Sequence, residues 1–194
     1  MRASTHPCPT APKTLWLVRH AQPLLAPGLC YGATDVPADA QATQHAAQAL
    51  VPELPPHTTV ISSTLQRCEL FAHTLKGLRP DLTCQFDARL TEMNFGQWEG
   101  QPWDAIPCAA FDAWTADFSN HRFGGQESVA EFWQRVTLVW REMSQLPGPV
   151  LWVTHAGVIR AATLLSQGVS EVTQASQWPR AAPGFGGWCT LALN

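Results

Sequence analysis

The runs LWLV at residues 15–18 and VLWVT at 150–154 are apolar at nearly every position rather than at every second one. A strand of that kind needs cover on both faces, and such strands belong to sheets sandwiched between helices. TTVIS at 58–62 reads as a further strand, Thr83–Phe86 as a short one and Trp188–Leu193 as the last. The segments between them read as helices. Asp39 is placed to cap an Ala-rich helix ending near Leu50, and Ser62 or Ser63 to cap a second. In that second helix Leu65, Cys68, Phe71, Ala72, Leu75 and Leu78 mark the core face, and Arg67 falls off the stripe in the first turn. From Gln126 onward, Val129, Phe132, Trp133, Val136, Val139, Trp140 and Met143 form the strongest helical pattern, closed by Pro147-Gly148. Another helix follows VLWVTH directly, to about Gln167. Strands alternating with helices predict a three-layer α/β/α sandwich with a mostly parallel central sheet.

The chain has 194 residues, 45% of them hydrophobic, with nine tryptophans. That is the scale of a single domain, expected over residues 14–194 after a loose tail at 1–13. A net charge of −3 with 12 Lys plus Arg gives no basic surface for nucleic acid. No apolar run is long enough to span a bilayer, and the opening MRASTHPCPTAPK has no apolar stretch of secretory type. Neither a membrane partner nor export is therefore expected, and the cytoplasm is the expected location. Cysteines at 8, 30, 68, 84, 108 and 189 show neither C-x-x-C nor zinc-type spacing. Reduced thiols and no metal are the expectation.

Two of the strands end in the same way. LWLV runs into Arg19-His20-Ala21, and LWV into Thr154-His155-Ala156-Gly157. In an open α/β sheet the carboxyl ends of strands are where ligands bind. If the two strands are neighbours, two imidazoles face each other there, and the helix after the second strand presents free N–H groups to an anion. TTVIS adds a third strand end, with Arg67 in the helix that follows. Two arginines, two histidines and helix N-termini converging on one edge describe a phosphate pocket.

Arg19-His20-Ala21, Ser63-Thr64-Leu65-Gln66-Arg67, Glu92 in LTEMNFGQWEG, Gly124-Gly125-Gln126-Glu127-Ser128 and VTHAGVIR together resemble the histidine phosphatase superfamily, also called phosphoglycerate mutase-like. The resemblance runs from about residue 15 to the end. Among its branches, the short length and EMNFGQWEG look most like α-ribazole phosphatases. Ala21 stands where the family usually has glycine. AQPLLAPG lacks the polar residues that mutases place after the histidine; Pro23 and Ala26 fall near those positions, which implies a pocket with fewer donors.

The resemblance implies a small-molecule phosphate ester as substrate, no cofactor, and a role for each matching residue. His20 attacks phosphorus and becomes phosphohistidine. Arg19, Arg67, His155 and the backbone at Ala156 hold the phosphoryl oxygens. Glu92 protonates the leaving oxygen and then activates water; without the resemblance a surface acid beside a turn is the better reading. Apolar neighbours Leu90, Met93 and Phe95 favour its protonated form, and nearby cations oppose it. Gly124 and Gly125 are expected to serve a sharp backbone turn.

A lid is expected at about residues 97–125. Between Met93 and His121 there is no Lys or Arg, while Trp98, Trp103, Phe111, Trp114 and Phe118 are spread along the segment. Such a lid suits an apolar or aromatic leaving group, as in α-ribazole 5′-phosphate, better than the carboxylate of phosphoglycerate. Asp104, Asp112 and Asp117 read as a solvated face. The loop 170–187, with Trp178, Arg180 and Phe185, has no pattern that fixes its direction. A phosphoglycerate mutase-type phosphotransferase and a catalytically weak phosphate-ester-binding relative remain as alternatives.

Overall fold

The computed structural model describes residues 13–193. Strands β1 (Lys13–Arg19), β2 (Thr59–Ser62), β3 (Thr83–Phe86), β4 (Val150–Thr154) and β5 (Trp188–Leu193) form one sheet in the order β3-β2-β4-β1-β5. All pairings are parallel except that of β5 with β1. The expected α/β sandwich with a mostly parallel sheet is thus the observed architecture. Residues 1–12 of the expected tail lie outside the described residues, and Lys13, assigned to that tail from sequence, is the first residue of β1.

The unbroken apolar runs have a direct cause. Leu15 and Leu17 of β1, with Val150 and Trp152 of β4, pack against helices α4 (Val129–Ser144) and α5 (Ala156–Ser166). Val18, Leu151 and Val153 point the other way, onto α1 (Ala40–Leu50) and α2 (Gln66–Leu78). Both faces of the central strands are therefore core, and all five residues of β4 are buried. A shorter helix, α3 (Cys108–Ala116), lies in the segment expected to cover the site. No helix among the described residues is long and apolar enough to cross a membrane.

Asp39 caps α1 as expected, accepting from the Ala42 N–H at 2.7 Å. Neither Ser62 nor Ser63 caps α2, which starts at Gln66 after Leu65. The Gln66 N–H is satisfied from 31 residues away by Asp35 Oδ1 at 2.8 Å, a remote cap that local sequence cannot announce. Leu78, assigned to the core face, is 37% exposed in the last turn of α2, beyond the reach of the sheet. At α4 the sequence pattern begins three residues early: Ser128 and Glu131 form a capping box that sets the first helical residue at Val129, a device that contributes about 1 kcal/mol.

Candidate active site

β1 and β4 are neighbours in the register Arg19↔Thr154. His20 follows β1 directly and donates its N–H to the Thr154 carbonyl at 3.0 Å, and His155 follows β4. Their rings face each other with centroids 5.1 Å apart, as the repeated strand ending leads one to expect. His20 Nδ1 lies 2.8 Å from the Ala21 carbonyl oxygen. A carbonyl only accepts, so Nδ1 carries the proton and Nε2 keeps its lone pair. Burial, then Arg67 and Arg19, lower the His20 pKa to about 3. The imidazole is consequently neutral across the range in which enzymes work.

His155 is completely enclosed, and burial followed by Arg67 and His20 holds it well below the ordinary histidine range. Its Nε2 lies 2.8 Å from Ser63 Oγ. That hydroxyl oxygen already accepts from the Leu65 N–H at 3.3 Å, so its own hydrogen is free for His155. When Ser63 donates to Nε2, the His155 ring proton sits on Nδ1. Ser63, read from sequence as a helix cap, thus partners a histidine instead. Cys68 Sγ also approaches His155 Nε2, at 3.5 Å, but burial pushes its thiol up to about 12, so it is no thiolate nucleophile.

Arg67, at 0% exposure the largest buried charge among the described residues, donates to the carbonyls of Gly32 at 2.6 Å and Thr34 at 2.8 Å. Glu99 holds that loop in turn, accepting from the N–H groups of Ala33 at 2.9 Å, Thr34 at 2.6 Å and Phe95 at 2.9 Å. Arg19 lies against the Phe185 ring, with Cζ 3.9 Å from its centroid, and reaches the Pro183 carbonyl at 3.3 Å. The loop whose direction the sequence left open thereby closes over the end of β1.

Arg19, His20, Arg67 and His155, with Tyr31, Glu92, Ala156 and Arg160, line a pocket of about 270 Å³. Among the described residues seven buried side-chain polar atoms have no hydrogen-bond partner, and four of them belong to this pocket: Arg19 Nε, Arg67 Nε, His155 Nδ1 and Arg160 Nε. Buried donors are rarely left unpaired. Arg19, Arg67 and His155 around one small cavity, beside a neutral imidazole, make a receptor for a polyoxygen anion. Pro23 and Ala26 lie outside it; Pro23 is bridged to Ala38 instead. Tyr31 and Arg160 also line the pocket, and the sequence reading gave neither a role.

Glu92 Oε2 accepts from the Gly157 N–H at 2.9 Å, so the first turn of α5 holds this carboxylate. A Cβ on Gly157 would overlap it. Gly157→Ala is accordingly expected to cut turnover of an alkyl phosphate ester by about 10²-fold, the scale for displacing a reacting group by roughly 1 Å. Steady-state phosphate release checks this, and activity within about twofold of wild type would mean that the carboxylate need not sit there. The loop carrying Glu92 is fastened by Arg135, which donates to the carbonyls of Arg89 at 2.7 Å, Thr91 at 2.6 Å and Glu92 at 3.0 Å. Arg135 also pairs with Glu127, 2.7 Å between Nε and Oε1. Glu99 and Glu127 are therefore anchors with their oxygens engaged. Gly124 and Gly125 have φ of +82° and +87° and make the tight turn expected of them; a Cβ on Gly124 would strike the Phe95 carbonyl.

Beside the pocket is a chamber of about 980 Å³, and the two share Glu92, Phe95, Trp103 and Arg160. Trp103, Trp114 and Phe118 from the 97–125 segment line it, whereas Trp98 and Phe111 pack against Phe123 and Ile106 as local core. Asp104, Asp112 and Asp117 are exposed as expected. The absence of basic residues in the covering segment proves a poor guide to the chamber's charge: Arg160 and Arg180 reach it from α5 and from the 170–187 loop. A signal for Arg160 was present, since it sits three residues after Gly157 and so shares its helix face.

A model of the histidine phosphatase superfamily (branch 1) matches residues 15–179, and the chain belongs to that superfamily. Mycobacterial glucosyl-3-phosphoglycerate phosphatase shares the fold with a TM-score of 0.74 at 25% identity, over 92% of this chain and 89% of that one. TTHB049 from Thermus thermophilus is similar with a TM-score of 0.67 at 28% identity, over 91% and 92% of the two chains. No curated protein matches the sequence. Superfamily membership and the phosphatase neighbour support phosphoester hydrolysis as the general activity.

Proposed function

We propose that this chain is a phosphomonoesterase that carries the phosphoryl group on His20. The observation behind this is that Arg19, Arg67 and His155 line the same pocket as His20, whose Nδ1 is committed to the Ala21 carbonyl and whose Nε2 is unprotonated. Nε2 forms a bond to phosphorus as the ester P–O bond breaks, and Glu92 gives its proton to the departing oxygen. Water then attacks phosphorus, Glu92 takes back a proton, and the N–P bond breaks to release phosphate. Arg19, Arg67, His155 and the helix start at Ala156 meet the charge on the equatorial oxygens through both steps. Each step is carried by side chains of this chain, and none calls on a metal.

The leaving group occupies the chamber, whose size and aromatic walls suit a nucleoside-sized body. α-Ribazole 5′-phosphate is the substrate we put first. The test is a panel of phosphate esters scored for phosphate release, containing this compound, ordinary 5′-nucleotides, glucosyl-3-phosphoglycerate and 3-phosphoglycerate. The expected result is a kcat/KM for α-ribazole 5′-phosphate that exceeds the others by at least about tenfold. Isomerisation of phosphoglycerate in the presence of the bisphosphate would select the mutase reading, and tight binding of esters without turnover the weak-relative one.

A further inference from the structure

Arg160 has no part in the scheme above, yet its side chain stands at the one place where the two cavities meet. The residues common to both are Glu92, Phe95, Trp103 and Arg160, whereas Arg19, His20, Arg67 and His155 line the phosphoryl pocket alone. Glu92 has to reach the ester oxygen, so a donor sharing its position lies beside the first atoms of the leaving group. Arg160 is tied down on one side by a bond from Nη2 to the Arg180 carbonyl at 3.1 Å, and its Nε is buried with no partner. Of the residues that share the junction with it, Phe95 and Trp103 accept no hydrogen bond, and the Glu92 carboxylate is already held by the Gly157 N–H. The guanidinium is thus half-buried, held on one side and able to donate to an acceptor in the cavity.

Resting on the phosphomonoesterase reading, we infer that Arg160 is a specificity-determining residue that recognises an oxygen acceptor on the carbon next to the ester linkage. The substrate class is then a phosphomonoester whose leaving group bears such an oxygen close to the phosphate and a flat apolar ring further out. The ring lies among Trp114, Phe118, Phe132 and Trp178. Hydroxyl, ether and carboxylate oxygens all meet the requirement; what Arg160 reads is a lone pair at that distance from phosphorus.

A matched pair of substrates tests this: 2-phenylethyl phosphate, which has the ring alone, and 2-hydroxy-2-phenylethyl phosphate, which adds the oxygen. The wild-type chain is expected to prefer the hydroxylated ester in kcat/KM by about 10- to 100-fold, the range for a hydrogen bond to a charged donor. In Arg160→Met the preference collapses to within about threefold, while the ring-only ester and 4-nitrophenyl phosphate keep their rates. Arg160→Lys, which retains the charge without the fork, keeps an intermediate preference and guards against a folding defect in the methionine variant. Equal losses on all three esters in Arg160→Met would place the side chain on the phosphoryl group and overturn the inference. So would a wild-type chain that hydrolyses 4-nitrophenyl phosphate yet does not distinguish the pair. No phosphate release from any of the three would instead overturn the phosphomonoesterase reading along with it.

Discussion

His20→Ala is expected to abolish turnover and, with it, any phosphate bound covalently to the protein. Wild-type chain mixed with labelled ester and quenched in alkali should retain acid-labile phosphate on His20. The variant should retain none, although its remaining donors, Arg19, Arg67 and His155, still bind phosphate. The size of the effect follows from the tautomer: with Nδ1 committed to the Ala21 carbonyl, Nε2 is the one unprotonated ring nitrogen offered to the pocket. His155 does not replace it, because its Nε2 is engaged by the Ser63 hydroxyl. Label on a serine, cysteine or aspartate would overturn the mechanism.

Glu92→Gln should hurt two substrates unequally. A general acid matters greatly to an alkyl alcohol and little to nitrophenolate, which leaves readily as an anion. Hydrolysis of an alkyl phosphate is expected to fall by about 10²–10⁴-fold, with phosphorylation of His20 by nitrophenyl phosphate far less affected. Because the same carboxylate activates water, dephosphorylation becomes limiting, and stopped flow should show a burst of nitrophenol followed by a slow phase. Arg67→Ala is the contrast: it removes charge stabilisation from the phosphoryl group and depresses both substrates alike. Equal losses in Glu92→Gln without a burst would remove Glu92 from the role. Glu99 and Glu127 are poor replacements, since each is held by several donors away from the reacting group.

What was legible in the sequence was local. An apolar run buried on both faces, ending in a histidine and a small residue, carries its strand, its direction and its place at the sheet edge in a few adjacent letters. His20, His155 and Arg67 could be assigned to one edge on that basis. The partners that set their chemistry could not, because they arrive from elsewhere: Ser63 to His155, Gly32 and Thr34 to Arg67, Pro183 and Phe185 to Arg19. Loops carry no period that reports where they point. The charge of the chamber was misjudged for the same reason, since a count along one covering segment is blind to cations contributed by a helix start and a distant loop. Capping failed where the acceptor was Asp35, remote in sequence from the helix that it serves.

The parallel pairing of β1 with β4 gives the reaction a fixed gauge. Neighbouring strands lie about 4.8 Å apart, and the two imidazoles, each the first residue beyond a paired strand end, stand 5.1 Å apart. Backbone hydrogen bonding, not side-chain fit, therefore sets the width of the jaws that grip phosphorus, and a slip of one residue would turn His20 toward the opposite face. Much of the chamber wall hangs on other parts of the chain, from Met93 to Phe118 and from Ala175 to Arg180, with Val129 and Phe132 of α4 and Gly157 and Arg160 of α5 completing it. Tool and workpiece holder meet at Glu92, Phe95, Trp103 and Arg160, so exchanging the holder beyond those four should re-address the molecule to other esters while the jaws keep their setting.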